Sequence, residues 1–162
     1  MNLFMEFFKE DLVFSNEECI DQQDCFNKIS DKLFEKGLVR ASFASALKER
    51  EDLFPTGLDA DPYHVAIPHT DPEHVIKPFV AILKPKNTVQ FITMGSEENE
   101  IDASIIFVLG ITEPASQVVL LQNLIEIFRD KQLMGELLDL NDSKAIYSLL
   151  KNNITIEGGV NL

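Results

Sequence analysis

All three histidines of this chain fall between Phe54 and Pro78, in FPTGLDADPYHVAIPHTDPEHVIKP, and its centre, Ile67-Pro68-His69-Thr70, reads as a strand end that delivers an imidazole into a loop. Prolines at 62, 68, 72 and 78 remove backbone donors and disfavour helix at the residues before them. His69 is therefore expected in an irregular, stiffened loop. Three chemistries compete there. In the first, a neutral imidazole nitrogen attacks a phosphoryl group and forms a phosphoramidate that a second acceptor can remove. That task needs one free ring nitrogen, the other being held so as to fix the tautomer, and a cation with further donors to spread the charge of the transferring group. Arg50 is the nearest cation in sequence, and Thr56 and Thr70 offer hydroxyls.

The second chemistry is metal binding by His64, His69 and His74 with Asp71 or Glu73. Their spacing matches neither i, i+4 on a helix nor i, i+2 on a strand, which disfavours it. The third is acid-base hydrolysis by His69 with Asp61 or Asp71, for which no serine or cysteine stands in a GxSxG elbow. Spacing alone leaves a further alternative, since a lone histidine is more often a surface or hydrogen-bonded core residue than a catalyst. None of these readings except the second calls for a metal, and none for a cofactor.

The elements that must position this loop belong to a chain of 162 residues, 45% apolar and 25% charged, which fits one soluble globular domain over residues 1–162. A net charge of −13 argues against nucleic acid and against acidic membranes. No apolar run approaches the roughly 20 residues of a bilayer span, so no membrane insertion is expected. The start, MNLFMEFFKEDLVF, lacks a basic lead and carries Glu6, Lys9, Glu10 and Asp11, so it reads as a first strand or docked segment and not as a signal peptide. Cys19 and Cys25, six apart in an expected helix, would lie on different faces as reduced thiols of a cytoplasmic protein.

Ser15 with Glu18 has the pattern of a capping box, opening a helix that carries Ile20, Phe26, Ile29 and Leu33 inward and ends at Gly37. A second helix is expected from about Ala41 to Glu51, with Phe43, Ala46 and Leu47 inward, closed by a Pro55-Thr56-Gly57 turn. Strands follow at His64 to Ile67, Phe79 to Lys84, Val89 to Phe91 and Ala103 to Leu109, the last apolar enough to be buried on both faces. After Pro114 the period changes, and Gln117, Leu120, Leu121, Leu124 and Phe128 mark an amphipathic helix. Leu133, Leu137 and Leu138 suggest a short helix, Asn141 to Ser143 can cap a last one, and the tail from about 152 to 162 is expected to fray. Helices on either side of a set of short strands imply a three-layer α/β domain with its sheet covered on both faces.

A further pattern narrows the choice at His69. Arg50-Glu51, Phe54-Pro55-Thr56-Gly57-Leu58, Val65-Ala66-Ile67-Pro68-His69-Thr70-Asp71 and Glu73-His74-Val75 together resemble the signature of the IIA component of the bacterial phosphoenolpyruvate-dependent sugar phosphotransferase system. The likeness is to the fructose and mannitol superfamily, and within it to galactitol-type proteins, for which FPTG and the IPHT block are typical. It extends to the apolar strand and Pro-led helix after residue 103, and so covers nearly all of the chain after about residue 15.

The resemblance implies a mixed, roughly five-stranded sheet between helices and a cytoplasmic phosphoryl relay. Phospho-HPr would give its phosphoryl group to Nε2 of His69, which passes it to a cysteine of a cognate IIB protein, with the membrane component IIC engaged only indirectly. Arg50 matches the family arginine beside the phosphohistidine, and Thr56 a threonine in the intervening turn. Two departures stand out. Where mannitol-type members have a second active-site histidine this chain has Gln117, an amide that donates a hydrogen bond but carries no charge, which leaves more neutralisation to Arg50. Where many members have glycine before the VAIPH strand this chain has His64, expected to be inessential, while His74 is expected either to orient the loop or to be solvated. The docking face around His69 is expected to be depleted in carboxylates, with Phe54, Leu58 and Tyr63 either supplying apolar contact or packing in the core. The same kind of domain also serves as a regulatory module controlled by its phosphorylation state, which is the alternative role.

Overall fold

A computed structural model describes the backbone of residues 2–160 and the side chains up to Ile154. In chain order the elements are α1 (Leu3–Phe7), β1 (Phe8–Glu17), α2 (Gln22–Glu35), α3 (Phe43–Leu53), β2 (Gly57–Ala60), β3 (Tyr63–Ala66), a 3-10 turn (Pro72–His74), β4 (Phe79–Pro85), β5 (Val89–Ile92), β6 (Glu100–Ala103), β7 (Ile105–Gly110), α4 (Pro114–Arg129), α5 (Lys131–Asp139) and α6 (Ser143–Val160). Five strands form one mixed sheet in the order β1-β4-β7-β3-β2, and β5 with β6 forms a separate two-stranded ribbon. Strands β1 and β4 pair in parallel, as do β3 and β7, whereas β4–β7 and β2–β3 are antiparallel.

The central strands explain the layers. In β7, Ile105, Phe107 and Leu109 enter one apolar cluster and Ile106 and Val108 the other; in β4, Val80 and Ile82 go one way and Phe79, Ala81 and Leu83 the other. A strand with period 2 and apolar residues on both faces must be covered twice. On the first face lie α1, α4, α5 and α6; on the second lie α2, α3 and the ribbon. The expected three-layer α/β architecture, with a mixed sheet covered on both faces, is the one found.

Local expectations fared unevenly. Gly37 ends α2 as expected: it takes a positive φ of 75°, its N–H reaches the Phe34 carbonyl at 2.9 Å, and Leu38 N–H reaches Leu33 O at 3.1 Å, a double closure that needs the left-handed conformation. The capping box at Ser15 is a misreading. Ser15 sits within β1, its hydroxyl beside that of Ser143 at 3.1 Å, and Asp21 caps α2 by accepting from Asp24 N–H at 2.9 Å. Pairing with β4 keeps the chain extended through Glu17, because Phe8, Leu12 and Val13 bury their side chains only from a strand. Ile20, expected to face the core, is consequently 90% exposed. Cys19 precedes α2 instead of lying in it, and the thiols of Cys19 and Cys25 are near enough to perturb one another, not on different faces.

The run from Ala103 to Leu109 is two strands, not one. Ala103 pairs with Val89 in the ribbon, while Ile105 pairs with Val65 in the main sheet, and Ser104 N–H bonds to His64 O at 3.0 Å where the chain crosses over. Strand β2 was not anticipated, Gly57 being expected in a turn. Near the end of the chain, Asp142 caps α6 by accepting from Ala145 N–H at 2.9 Å, the backbone is helical through Val160, and the last two residues of the tail expected to fray lie outside the described residues.

Gly110 closes β7 opposite Phe79, whose ring is fully buried and packs on Phe43 with centroids 6.1 Å apart. A Cβ at Gly110 would lie 2.2 Å from the Phe79 ring. Gly110→Ala should therefore destabilise the fold by overpacking, by about 1–3 kcal/mol. Chemical denaturation measures this, and an unchanged midpoint would show that the Phe79 ring can move aside.

Candidate active site

His69 stands just beyond the carboxyl end of β3, where two neighbours fix its backbone. Leu109 N–H bonds to Pro68 O at 3.1 Å and His69 forms a bridge to Leu109, tying the loop to β7. On the other side Ile67 N–H bonds to Thr56 O at 3.2 Å, extending the β2–β3 pairing by one rung past Gly57 and Ala66. Because β3 and β7 run parallel, their carboxyl ends meet at one edge of the sheet. Helix α4 begins at Pro114 shortly after β7, so the first turns of that helix, with Gln117, lie at the same end.

The ring itself is 5% exposed. Its Nδ1 lies 2.8 Å from the Ile67 carbonyl oxygen, which can only accept, so Nδ1 carries the proton and Nε2 keeps a free lone pair. Nε2 is buried and has no hydrogen-bond partner among the described residues. Burial holds the imidazole below the usual histidine range, and the nearby Arg50 charge pushes the same way, against opposing pulls from the Ile67 bond and Asp71. Burial thus favours the uncharged imidazole, in the tautomer that leaves the Nε2 lone pair free and enclosed.

Arg50 and Glu51 come from the last turn of α3. The Arg50 guanidinium lies over the Phe54 ring, 4.6 Å from its centroid, and donates to Phe54 O at 3.3 Å. Sequence reasoning assigned no role to Glu51. Its carboxylate is buried and takes two donors from one residue, Thr56 N–H and Thr56 Oγ1, each at 2.7 Å. Burial holds the Glu51 carboxyl above the usual range, an effect these two bonds only partly offset. A carboxylate five residues before a threonine in a proline-started turn was the available signal, and it is weak. The Thr56 hydroxyl is thereby committed to Glu51, and that of Thr70 donates to Asp71 O at 3.0 Å, so neither points a free donor at Nε2.

The other two histidines are held elsewhere. His64 faces its cross-strand partner Asp59, with Nε2 3.4 Å from the carboxylate, and His74 rests with Nδ1 2.8 Å from Ser42 Oγ and Nε2 3.6 Å from Glu73. Among the described residues no group of three or more His, Cys, Asp or Glu could hold a metal ion. Of the three apolar candidates, Phe54 is 60% exposed, whereas Leu58 and Tyr63 are partly buried against the first core cluster. The groove beside Arg50 and Thr70 carries Glu49, Asp71 and Glu73, so the expected depletion of carboxylates does not hold there.

What these groups can do together is present a neutral nucleophile beside one fixed cation, in a setting shielded from water. Comparison with known proteins agrees with the motif. Over 125 residues, 77% of this chain and 83% of the relative, the chain is 26% identical to the galactitol-specific EIIA component of the phosphotransferase system of Escherichia coli K12. Its fold matches Escherichia coli enzyme IIA-Mtl, solved in complex with phosphorylated enzyme IIB-Mtl, with a TM-score of 0.72 at 19% identity over 90% of this chain and 99% of that one. It also matches the nitrogen regulatory protein IIA-Ntr of Neisseria meningitidis, with a TM-score of 0.73 at 24% identity over 92% and 99%. The family model for the phosphoenolpyruvate-dependent sugar phosphotransferase system, EIIA 2, matches residues 6–153, and the chain belongs to that phosphotransferase family.

Proposed function

We propose that Nε2 of His69 accepts a phosphoryl group from phospho-HPr and passes it to a cysteine of a cognate IIB protein, serving uptake of a galactitol-like sugar alcohol from the cytoplasmic side. The observation that carries this reading is the free, unsolvated Nε2 opposite an Nδ1–H tied to Ile67 O. The Nε2 lone pair forms the bond to phosphorus while the donor's bond to phosphorus breaks, its electron pair returning to the donor. The ring keeps its Nδ1 proton throughout. In the second transfer a IIB thiolate attacks phosphorus and the electron pair returns to Nε2.

Arg50 neutralises charge on the transferring group. It is the cation whose charge His69 feels, and the transition state is loose enough that electrostatic stabilisation is most of what the site must provide. Gln117 adds an uncharged donor from the first turns of α4. Support for a IIB partner comes from the fold match to an enzyme IIA solved with phosphorylated IIB, and support for the sugar class from the galactitol-specific relative. No described helix is long and apolar enough to cross a membrane. The regulatory alternative draws on the likeness to IIA-Ntr, and failure to hand phosphate to any IIB cysteine would favour it.

Incubation with phosphoenolpyruvate, enzyme I and HPr should give an acid-labile, alkali-stable phosphoprotein. His69→Ala should abolish it, and a variant that still took up one phosphoryl group would remove His69 from the mechanism. Arg50→Ala should fold normally but transfer more slowly, the barrier rising by on the order of 3 kcal/mol. An unchanged rate would exclude Arg50. His64 faces Asp59 across the hairpin, and His64→Ala should transfer at the parent rate.

The pH profile follows from the sign of the His69 shift. A depressed value means that the neutral, reactive ring persists below the ordinary histidine value of about 6.5. Single-turnover transfer from phospho-HPr should therefore stay level as pH falls through that value and decline only at lower pH, once the donor's own titration is divided out. A half-maximal rate at or above the ordinary value would contradict the burial argument.

A further inference from the structure

We propose that Glu51 is the positioning residue of the phosphoryl-accepting imidazole, holding His69 through Thr56 and Ile67 in the tautomer that leaves Nε2 bare. The inference rests on His69 being the acceptor. Its basis is an unbroken run of hydrogen bonds. Glu51 Oε2 accepts from Thr56 N–H and Oε1 from Thr56 Oγ1, both at 2.7 Å; Thr56 O accepts from Ile67 N–H at 3.2 Å; Ile67 O accepts from His69 Nδ1–H at 2.8 Å. Two residues thus lie between a buried carboxylate and the reacting ring.

A carboxylate suits this place for a specific reason. Thr56 follows Pro55 between α3 and β2, so its N–H and hydroxyl belong to no helix or strand ladder, and Thr56 is only 2% exposed. Leaving either donor unpaired in so buried a place would carry the full desolvation penalty of that group. Glu51, itself 4% exposed, satisfies both at once, and because an ionised carboxylate only accepts, the direction of both bonds is set. The Thr56 carbonyl is then aimed the other way, at Ile67.

The coupling is positional. Thr56 immediately precedes Gly57, whose pairing with Ala66 is the rung next to Ile67, so a loosened Thr56 shifts the start of β2 and the carbonyl that meets the ring. If that carbonyl drifts, Nδ1 loses its acceptor and the proton is free to sit on either nitrogen; on Nε2 it blocks attack. Glu51 also adjoins Arg50, so one turn of α3 carries both the cation and the clamp.

The test is NMR of the histidine ring nitrogens in the full chain, which reads the His69 tautomer directly, paired with single-turnover phosphorylation by phospho-HPr. Glu51→Ala should move His69 from the Nδ1–H form toward a mixture and slow phosphorylation on the order of tenfold to a hundredfold, the scale of a small misplacement of a reacting group. Glu51→Gln, which can still accept from Thr56 N–H and donate to its hydroxyl, should restore most of both. Thr56→Val, which keeps shape and N–H but loses the hydroxyl bond, should shift the tautomer part of the way. Parent-like ring signals in folded Glu51→Ala overturn the proposal, as does a slower rate without a tautomer change. Should Glu51→Ala not fold, parent-like signals and rate in Thr56→Val overturn it equally. A His69→Ala protein that still accepts phosphate would instead sink the acceptor assignment, leaving the tautomer result to stand as it is.

Discussion

The hydrogen bond from His69 Nδ1 to the Ile67 carbonyl is the constraint on which the rest of the site depends. An imidazole free in water exchanges its proton between two nitrogens and picks up a second near neutrality. One short bond to a backbone oxygen leaves the free lone pair on Nε2, and burial favours the uncharged ring. A backbone acceptor is well suited, since it does not titrate and moves only if the strand moves. Much of the fold can be read as keeping that carbonyl still: β7 grips the loop through Leu109, and the β2–β3 rung grips it through Thr56.

Around this fixed ring the charges are arranged sparingly. Arg50 is stacked on Phe54 and bonded to its carbonyl, so its guanidinium is already ordered and would lose less rotamer freedom in meeting an anion. Glu49, Asp71 and Glu73 in the adjoining groove act against an anionic ligand, which makes the cation local to the reacting atom and leaves the surface as a whole unattractive to free phosphates. The exposed Leu53 and Phe54 add apolar surface to the same groove.

What the sequence disclosed followed the strength of the local signal. The apolar runs of β4 and β7, the amphipathic α4 and the Gly37 stop were legible because period and backbone conformation are written in consecutive residues. His69 was legible through its prolines and the motif around it. The start of the chain was not, because the pairing of Phe8–Glu17 with β4 is a contact between distant segments, and a capping pattern at Ser15 loses to it. Glu51 was hidden for a related reason: as a sequence it is one acid among 27 carboxylates, and only the fold brings Thr56 back to it in a buried place. The spacing of the histidines already disfavoured a shared metal, and the hairpin sends His64 toward Asp59.

The burial of Nε2 bears on time as well as reactivity. A phosphoramidate is a high-energy bond, and a carrier that shed its load to water would dissipate the free energy before meeting a partner. On the proposed acceptor Nε2, the load would be open to in-line attack only from the side of phosphorus away from the ring, so access from that one side would set its lifetime. A partner's nucleophile, brought in by a docking surface, arrives with the orientation that a wandering water lacks. On the reading proposed for His69, the loop around Nε2 would act as a kinetic store, holding a labile group until the encounter that discharges it.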